Sequence, residues 1–484
     1  MRGSGCSRSS VVEGDRSRGT ALGSRRGGTV AALPRRVFVL GLDSMPPSVL
    51  YDGGDVGAFE YLRGLVEEAQ RYRMRSCHPP ITVPAWMVMF TGRTPGELGI
   101  YGFRHRRPGE FGYYIVNSGY IRYPTLWESL GRRGLRVGVY GVPPTYPPKP
   151  VHGFLVTDFT TPGPDKPYTF PPWLRRELER TTGPTIFDIV YRSHDKDRVA
   201  RELFHMLENH QRQVEYLATR KNWDFFAYVE IAVDRAHHAF WKYFDQSHPR
   251  YEEHPEYSRV IPELYRRIDK WFEKLHKQLP RDTVVVIVSD HGIKSMKGAF
   301  AINQWLAEQG YLKLKVDLSG LKPGTDLRED MIDWGGTIAW AWGGYYSRLF
   351  INLKGREKHG TVEPKYYEET VKQIKKDIEK IRGPNGESWQ NMAYRPEELY
   401  PEVNGDAPDL MVYLDDLWWR PAGTIGWPSP YLEENDRGPD DAVHDWFGVY
   451  AVYDPEGTIG KGDQGEIQIH EIRRHLEEIV LSRQ

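Results

Sequence analysis

Short apolar runs that close on Gly, Asp, Ser or His punctuate the chain from residue 35 onward. The first is RRVFVLGLDS at 35–44, and comparable runs recur at 135–142, 224–233, 283–289, 348–353, 410–414 and 447–453. Brief apolar runs bounded by turn formers read as buried strands. Between them, apolar residues spaced three and four apart predict helices over 126–134, 198–220, 261–278, 364–382 and 466–483. Strand alternating with helix predicts an α/β fold, a mostly parallel central sheet sandwiched by helices. Two stretches break that rhythm. The Pro-rich 142–172 and the Gly- and Trp-rich 318–346 are expected to be loops or cap segments over a site, which puts possible cap insertions at about 143–200 and 316–346. The first 34 residues, rich in Gly, Ser and Arg, read as a flexible basic tail ahead of one domain over 35–484.

In an open α/β sheet, ligands gather at the carboxyl ends of the strands. The first run ends in Asp43, the run at 224–233 is followed by Asp234 and, four residues on, His238, the run at 283–289 ends in Asp290 and His291, and His444 stands just ahead of the last run. Three carboxylates and three imidazoles form a nitrogen and oxygen donor set that suits two zinc-like divalent ions. Each residue also has a plain structural reading. Asp43 could cap a turn, Asp234 and His238 could be an i, i+4 pair on one helix face, and His444 could be a satisfied loop residue. Asp290-His291-Gly292 is the sharpest of the set, because a steeply apolar strand has few structural reasons to stop in two adjacent ligand-type side chains. The segment PPITVPAWMVMFTG at 79–92 supplies Thr82, either a helix cap or a nucleophile whose hydroxyl needs its pKa lowered before it can attack.

Charge and composition narrow the field. Lys and Arg number 65 against 66 Asp and Glu, a formal charge of -1, so the field expected of a dedicated nucleic-acid binder is missing. With 18 Phe, 29 Tyr and 15 Trp the chain has the apolar surface for a large core. Cys6 and Cys77 cannot build a disulfide framework, so a reducing, cytoplasmic setting is expected. No apolar run approaches the roughly 18 residues of a membrane span, and no GxxxxGK[ST] loop supports kinase or ATPase chemistry.

Four blocks carry a family likeness: VFVLGLDS at 37–44, PPITVPAWMVMFTGRTPGELGIYGF at 79–103, DRAHHAFWKYFD at 234–245 and VSDHGIKSMKGAFAINQWLAEQGYLKLK at 288–315, with INLKGREKHG and APDLMVYL further on. They resemble the alkaline phosphatase superfamily, in particular its type I phosphodiesterase/nucleotide pyrophosphatase branch and the related predicted phosphohydrolase and phosphomutase group. The resemblance implies an alkaline-phosphatase-like fold with Asp43, Thr82, Asp290 and His291 around one metal and Asp234, His238 and His444 around the other. It makes Thr82 the covalent nucleophile, and its spacing selects His238 over His237, which is left a supporting role. Where the family pattern continues to His-Gly-Ile and then an Asn that holds phosphate, this chain has Leu98 and Phe103, so the phosphate contact is unassigned. Arg93, Arg104 and Asn117 are nearby polar candidates. Cys77 lacks the Cys-x-Pro-x-Arg arrangement of a sulfatase. The expectation is a phosphodiesterase/nucleotide pyrophosphatase acting on a small-molecule phosphate ester with two divalent ions, Zn or else Mn. Its rivals are a phosphomutase or phosphotransferase on the same site, and a non-catalytic metal-binding protein. The oligomeric state stays open.

Overall fold

The computed structural model describes residues 35–52 and 58–482. The basic tail expected over 1–34, with Cys6, lies outside these residues. The main sheet has nine strands: β1 Val37–Leu42, β2 Gln70–Arg75, β3 Val137–Tyr140, β4 Gly153–Val156, β5 Thr169–Phe170, β6 Phe225–Glu230, β7 Val284–Val288, β8 Phe447–Tyr453 and β9 Gly462–Gln468. Their order across the sheet is β9-β2-β8-β7-β1-β6-β3-β4-β5. The inner strands β7, β1, β6, β3 and β4 are parallel. Antiparallel pairing enters only toward the edges, at β7–β8, β8–β2 and β4–β5.

Both faces of this sheet are covered, which is why β1, β7 and β6 up to its final Glu230 read as apolar runs, buried at every position. Side chains of β1 alternate between two cores. Phe38, Leu40 and Leu42 pack on one face, with Leu203 and Met206 of α3 (Lys196–Arg220), Ala236 of α4 (Ala232–Phe244) and Ile261 of α5 (Val260–His276). Val37 and Val39 pack on the other, with Met87 of α1 (Thr82–Thr91), Leu130 of α2 (Leu126–Arg132) and Leu476 of α7 (Ile472–Leu481). Among the described residues no helix is long and apolar enough to cross a membrane.

Two expectations change, and two strands were not foreseen. The runs at 348–353 and 410–414 are strands, Ser347–Ile351 and Leu410–Tyr413, but they join Ala339–Trp342 and Met392–Tyr394 in a separate four-stranded antiparallel sheet. Val371 and Ile374 of α6 (Tyr367–Glu379) pack into its core. Apolar content reports that a strand is buried, not which sheet it joins. The helix expected over 466–483 begins only at Ile472, because its first residues continue β9. Strands β2 (QRYRMR) and β9 (GDQGEIQ) carry few apolar residues and gave no strand signal; β9 is the edge strand and β2 its neighbour, and most of their positions are half-exposed or exposed, where polar side chains are tolerated.

Candidate active site

Strand β1 lies between β6 and β7, so the carboxyl ends of three parallel strands adjoin. Asp43 follows β1, Asp290 and His291 follow β7, and α4 starts just beyond β6 with Asp234 and His238 one turn apart on it. Gly292–Ser295 pairs antiparallel with Ala442–Asp445, which sets His444 opposite Ile293 and brings it in from far along the chain. Thr82 is the first residue of α1. The capping position is Ile81, with no side-chain cap, so the Thr82 hydroxyl has no capping task; it sits 3.4 Å from His291 Nε2.

The structure brings six of these side chains into two adjoining groups, Asp43, Asp290 and His291 in one and Asp234, His238 and His444 in the other. Within each, the potential ligand atoms lie within 4.8 Å of one another. The groups meet where the His291 and His444 rings stack at 3.7 Å. All seven side chains, Thr82 included, are buried.

Each group is fixed through its outer atom and bare on its inner one. Asp43 Oδ2 accepts from Trp86 Nε1 at 2.7 Å, Asp290 Oδ1 from the Ser44 N–H at 3.2 Å, and Asp234 Oδ2 from Arg235 Nη1 at 2.6 Å. Asp43 Oδ1, Asp290 Oδ2 and Asp234 Oδ1 are buried without a hydrogen bond. Three orphaned carboxylate oxygens in one pit are costly unless a cation meets them. The imidazoles are likewise anchored through their outer atom. Nδ1 of His291 lies 2.9 Å from the Gly292 carbonyl, Nδ1 of His444 lies 2.7 Å from the Pro80 carbonyl, and Nδ1 of His238 lies 2.7 Å from Asp440 Oδ1. With Nδ1 anchored outward, Nε2 is turned inward, the orientation of a metal-ligating histidine. The donor set therefore fits divalent ions. Local packing makes this possible: at Gly41 a Cβ would come 2.7 Å from the Trp86 ring, so only glycine lets that indole lie against β1 and reach Asp43.

Electrostatics distinguishes the two groups. Burial, then repulsion from Asp234, holds Asp43 well above the usual carboxylate range, and burial, then repulsion from Asp43 and Asp234, does the same at Asp290. Burial would raise Asp234 as well, but His238 and Arg235 override it and hold it well below that range. Burial depresses His291 to about 4, while Asp440 and Asp234 overcome burial at His238 and lift it to about 10. His237 points away from the pit, with Nδ1 2.8 Å from Ser44 Oγ and Nε2 bonded to Tyr265.

Sequence reasoning missed Asp440, Arg192, Arg420 and Tyr345. Asp440 receives His238 on one oxygen, and on the other Arg192 Nε at 2.8 Å and Arg420 Nη1 at 3.1 Å. Tyr345 stacks on His444 at 3.7 Å. No local pattern marks these residues, although Asp440 stands four positions before His444. The earlier candidates make their contacts elsewhere: Arg93 pairs with Glu97, Arg104 lies over Tyr113, and the Asn117 side chain accepts from the Gly119 N–H.

An α/β sheet of this order with ligand-type side chains at its carboxyl ends is the architecture of the alkaline phosphatase superfamily. Solved structures share the fold. Murine ectonucleotide pyrophosphatase/phosphodiesterase 5, as an inactive threonine-to-alanine variant in complex with AMP, aligns with a TM-score of 0.51 at 13% identity, over 93% of this chain and 96% of that one. The human protein of that name aligns with a TM-score of 0.52 at 12% identity and the same coverage. No curated protein matches the sequence. The family of type I phosphodiesterases/nucleotide pyrophosphatases matches residues 37–440, and the chain belongs to it. The protein is thus a hydrolase of phosphate esters from a metal-dependent family. His444 lies just past the matched residues.

Proposed function

We propose that the protein is a phosphodiesterase that works through a covalent phosphothreonine at Thr82, with Asp43, Thr82, Asp290 and His291 holding one divalent ion and Asp234, His238 and His444 the other. The observation that carries this reading is the convergence of three carboxylate oxygens without a hydrogen bond and three inward-turned Nε2 atoms beside a threonine hydroxyl with no capping task. Zinc suits the imidazole-rich set best, and manganese is the alternative. When bound, the ions supply Lewis acidity that lowers the hydroxyl pKa and neutralises charge on the transferring phosphoryl group.

The chain's own residues supply position and proton control. Thr82 Oγ1 forms a bond to phosphorus as the bond to the leaving alkoxide breaks; water then attacks phosphorus and releases Thr82. The first residue of α1 presents its unpaired N–H side to an anion, which favours the phosphoryl group at this place. Asp440, Gly292 and Pro80 fix the imidazole tautomers through Nδ1.

Acid-quenched enzyme, incubated with an aryl phosphodiester and digested for peptide mass spectrometry, is expected to carry phosphate on Thr82. Elemental analysis is expected to give two ions per chain. Turnover with no phosphopeptide at any quench time, or well under one ion per chain after reconstitution with Zn or Mn, overturns the reading.

A further inference from the structure

The segment that reaches the site from the smaller sheet is Gly343-Gly344-Tyr345. At Gly343 a Cβ would come 2.5 Å from the Gly423 nitrogen and the Pro421 carbonyl, and Gly344, at φ +152°, donates its N–H to Pro421 at 2.9 Å. This close approach directs Tyr345 onto the site. Its ring lies between the His444 imidazole, 3.7 Å away, and the Arg420 guanidinium, 4.4 Å from the ring centroid. Its hydroxyl sits 3.0 Å from His238 Nε2 and accepts from Arg192 Nη2 at 2.8 Å.

That hydroxyl is an oxygen held between a ligand-type nitrogen and a guanidinium. If Nε2 of His238 ligates an ion, its hydrogen bond with the phenol is given up, and the O–H, still held by Arg192, has a proton to give elsewhere. Charge points the same way. Arg192 and Arg420 share one carboxylate, Asp440, which leaves one cation in excess at the edge of the pit. Arg192 Nη1 has no hydrogen bond among the described residues, and the side chain keeps 22% of its surface exposed, so the guanidinium has donors to spare on an open side.

We propose that Tyr345 and Arg192 form the phosphate clamp of this enzyme, the phenol O–H and the free guanidinium N–H groups donating to non-bridging oxygens of the substrate phosphate. This rests on the reading of the site given above, and it fills the contact that Leu98 and Phe103 leave without a residue. Guanidinium and phenol donors both suit a phosphate oxyanion.

Inorganic phosphate is the probe. Its dissociation constant is measured by calorimetry on zinc-reconstituted wild type, Tyr345→Phe, Arg192→Lys and Arg192→Met, with metal content determined on the same samples. The expected result is about tenfold weaker phosphate binding for Tyr345→Phe, one hydrogen bond to a charged group, and a larger loss for Arg192→Met that Arg192→Lys partly restores, all at wild-type metal content. Phosphate binding within twofold of wild type in both Tyr345→Phe and Arg192→Met, with metal loaded, overturns the clamp alone. So does a variant that loses metal but binds phosphate normally at each loaded site, since Tyr345 would then serve the ion. A wild type that loads no metal overturns the reading of the site and the clamp with it.

Discussion

Asp43 and Asp290 stand on one side of the pit with only neutral donors behind them, the Trp86 indole and the Ser44 amide. On the other side Asp234 is bonded to Arg235, which Asp188 also grips through two hydrogen bonds, and behind His238 stand Asp440, Arg192 and Arg420. The residue types are nearly the same, but the first group accumulates negative charge that the protein does not neutralise, whereas the second brings its own counterions. A buried carboxylate without a cation raises its pKa and weakens the folded state; one with a cation at hydrogen-bond distance does the reverse. On the proposed reading the first group relies on a bound ion for its charge balance, whereas the second also carries counterions of its own.

The largest expected effect falls in the first group. Thr82→Ala should lower turnover of an aryl phosphodiester by about 10³ or more, the scale on which loss of a nucleophile is felt, while Thr82→Ser should retain much of the rate. A Thr82→Ala enzyme that keeps its metals and turns over nearly as fast as wild type would remove the covalent role.

Removing a carboxylate should then act in opposite directions on the two sides in the metal-free protein. Asp234→Asn breaks a buried pair with Arg235 and is expected to cost about 3 kcal/mol, the low end of the usual range because Asp188 still holds the guanidinium. Denaturant unfolding in the presence of chelator measures it. A loss no greater than that of Asp43→Asn would mean the counterions do not stabilise the second group.

Asp440→Asn keeps an acceptor for His238 but removes the charge behind it. Loss of such an outer partner typically weakens metal binding by about 10- to 100-fold, and with the acceptor retained the lower figure is expected. Competition with a chromophoric chelator should show one ion weakened and the other unchanged. Equal weakening of both would mean that the two groups act as one.

The legible part of this site was the part written locally. Asp43, Asp290 and His291 end steep apolar runs, and Asp234 and His238 repeat at helical spacing, so strand-end chemistry could be read without a partner in view. The orienting shell could not. Asp440 meets His238 across 202 positions and Tyr345 meets it across 107, and neither lies in a pattern that burial or periodicity would impose. The fold divides in the same way. The apolar strands β1, β6 and β7 announced a doubly covered sheet, whereas the polar β2 and β9 did not, and the strands at 347–351 and 410–413 declared themselves strands without declaring their separate sheet. Pairing partners and charge neighbours are tertiary choices.

The smallest predicted effect is the most direct test of the contrast, because it concerns sign rather than size. Asp290 holds its proton more tightly when folded than when unfolded, through burial and the nearness of Asp43. The unfolded chain gives that proton up near pH ~4, so metal-free stability should fall as pH rises from there through the higher folded value. Asp290→Asn has no proton to lose; its metal-free unfolding free energy should fall less steeply with pH and exceed that of wild type at pH 7 by on the order of 1 kcal/mol, a common size for a single site. Asp234 is shifted the other way, so its contribution is present above the unfolded value and is lost as pH falls through the folded one. Asp234→Asn should therefore remove acid sensitivity where Asp290→Asn removes sensitivity to base. Urea titrations of the two variants and wild type in chelator from pH ~2 to pH ~8, a span that reaches below the unfolded carboxylate value, would show this; slopes that change in the same direction would mean that the counterions around Asp234 do not set its charge, and the distinction between the two groups would fail.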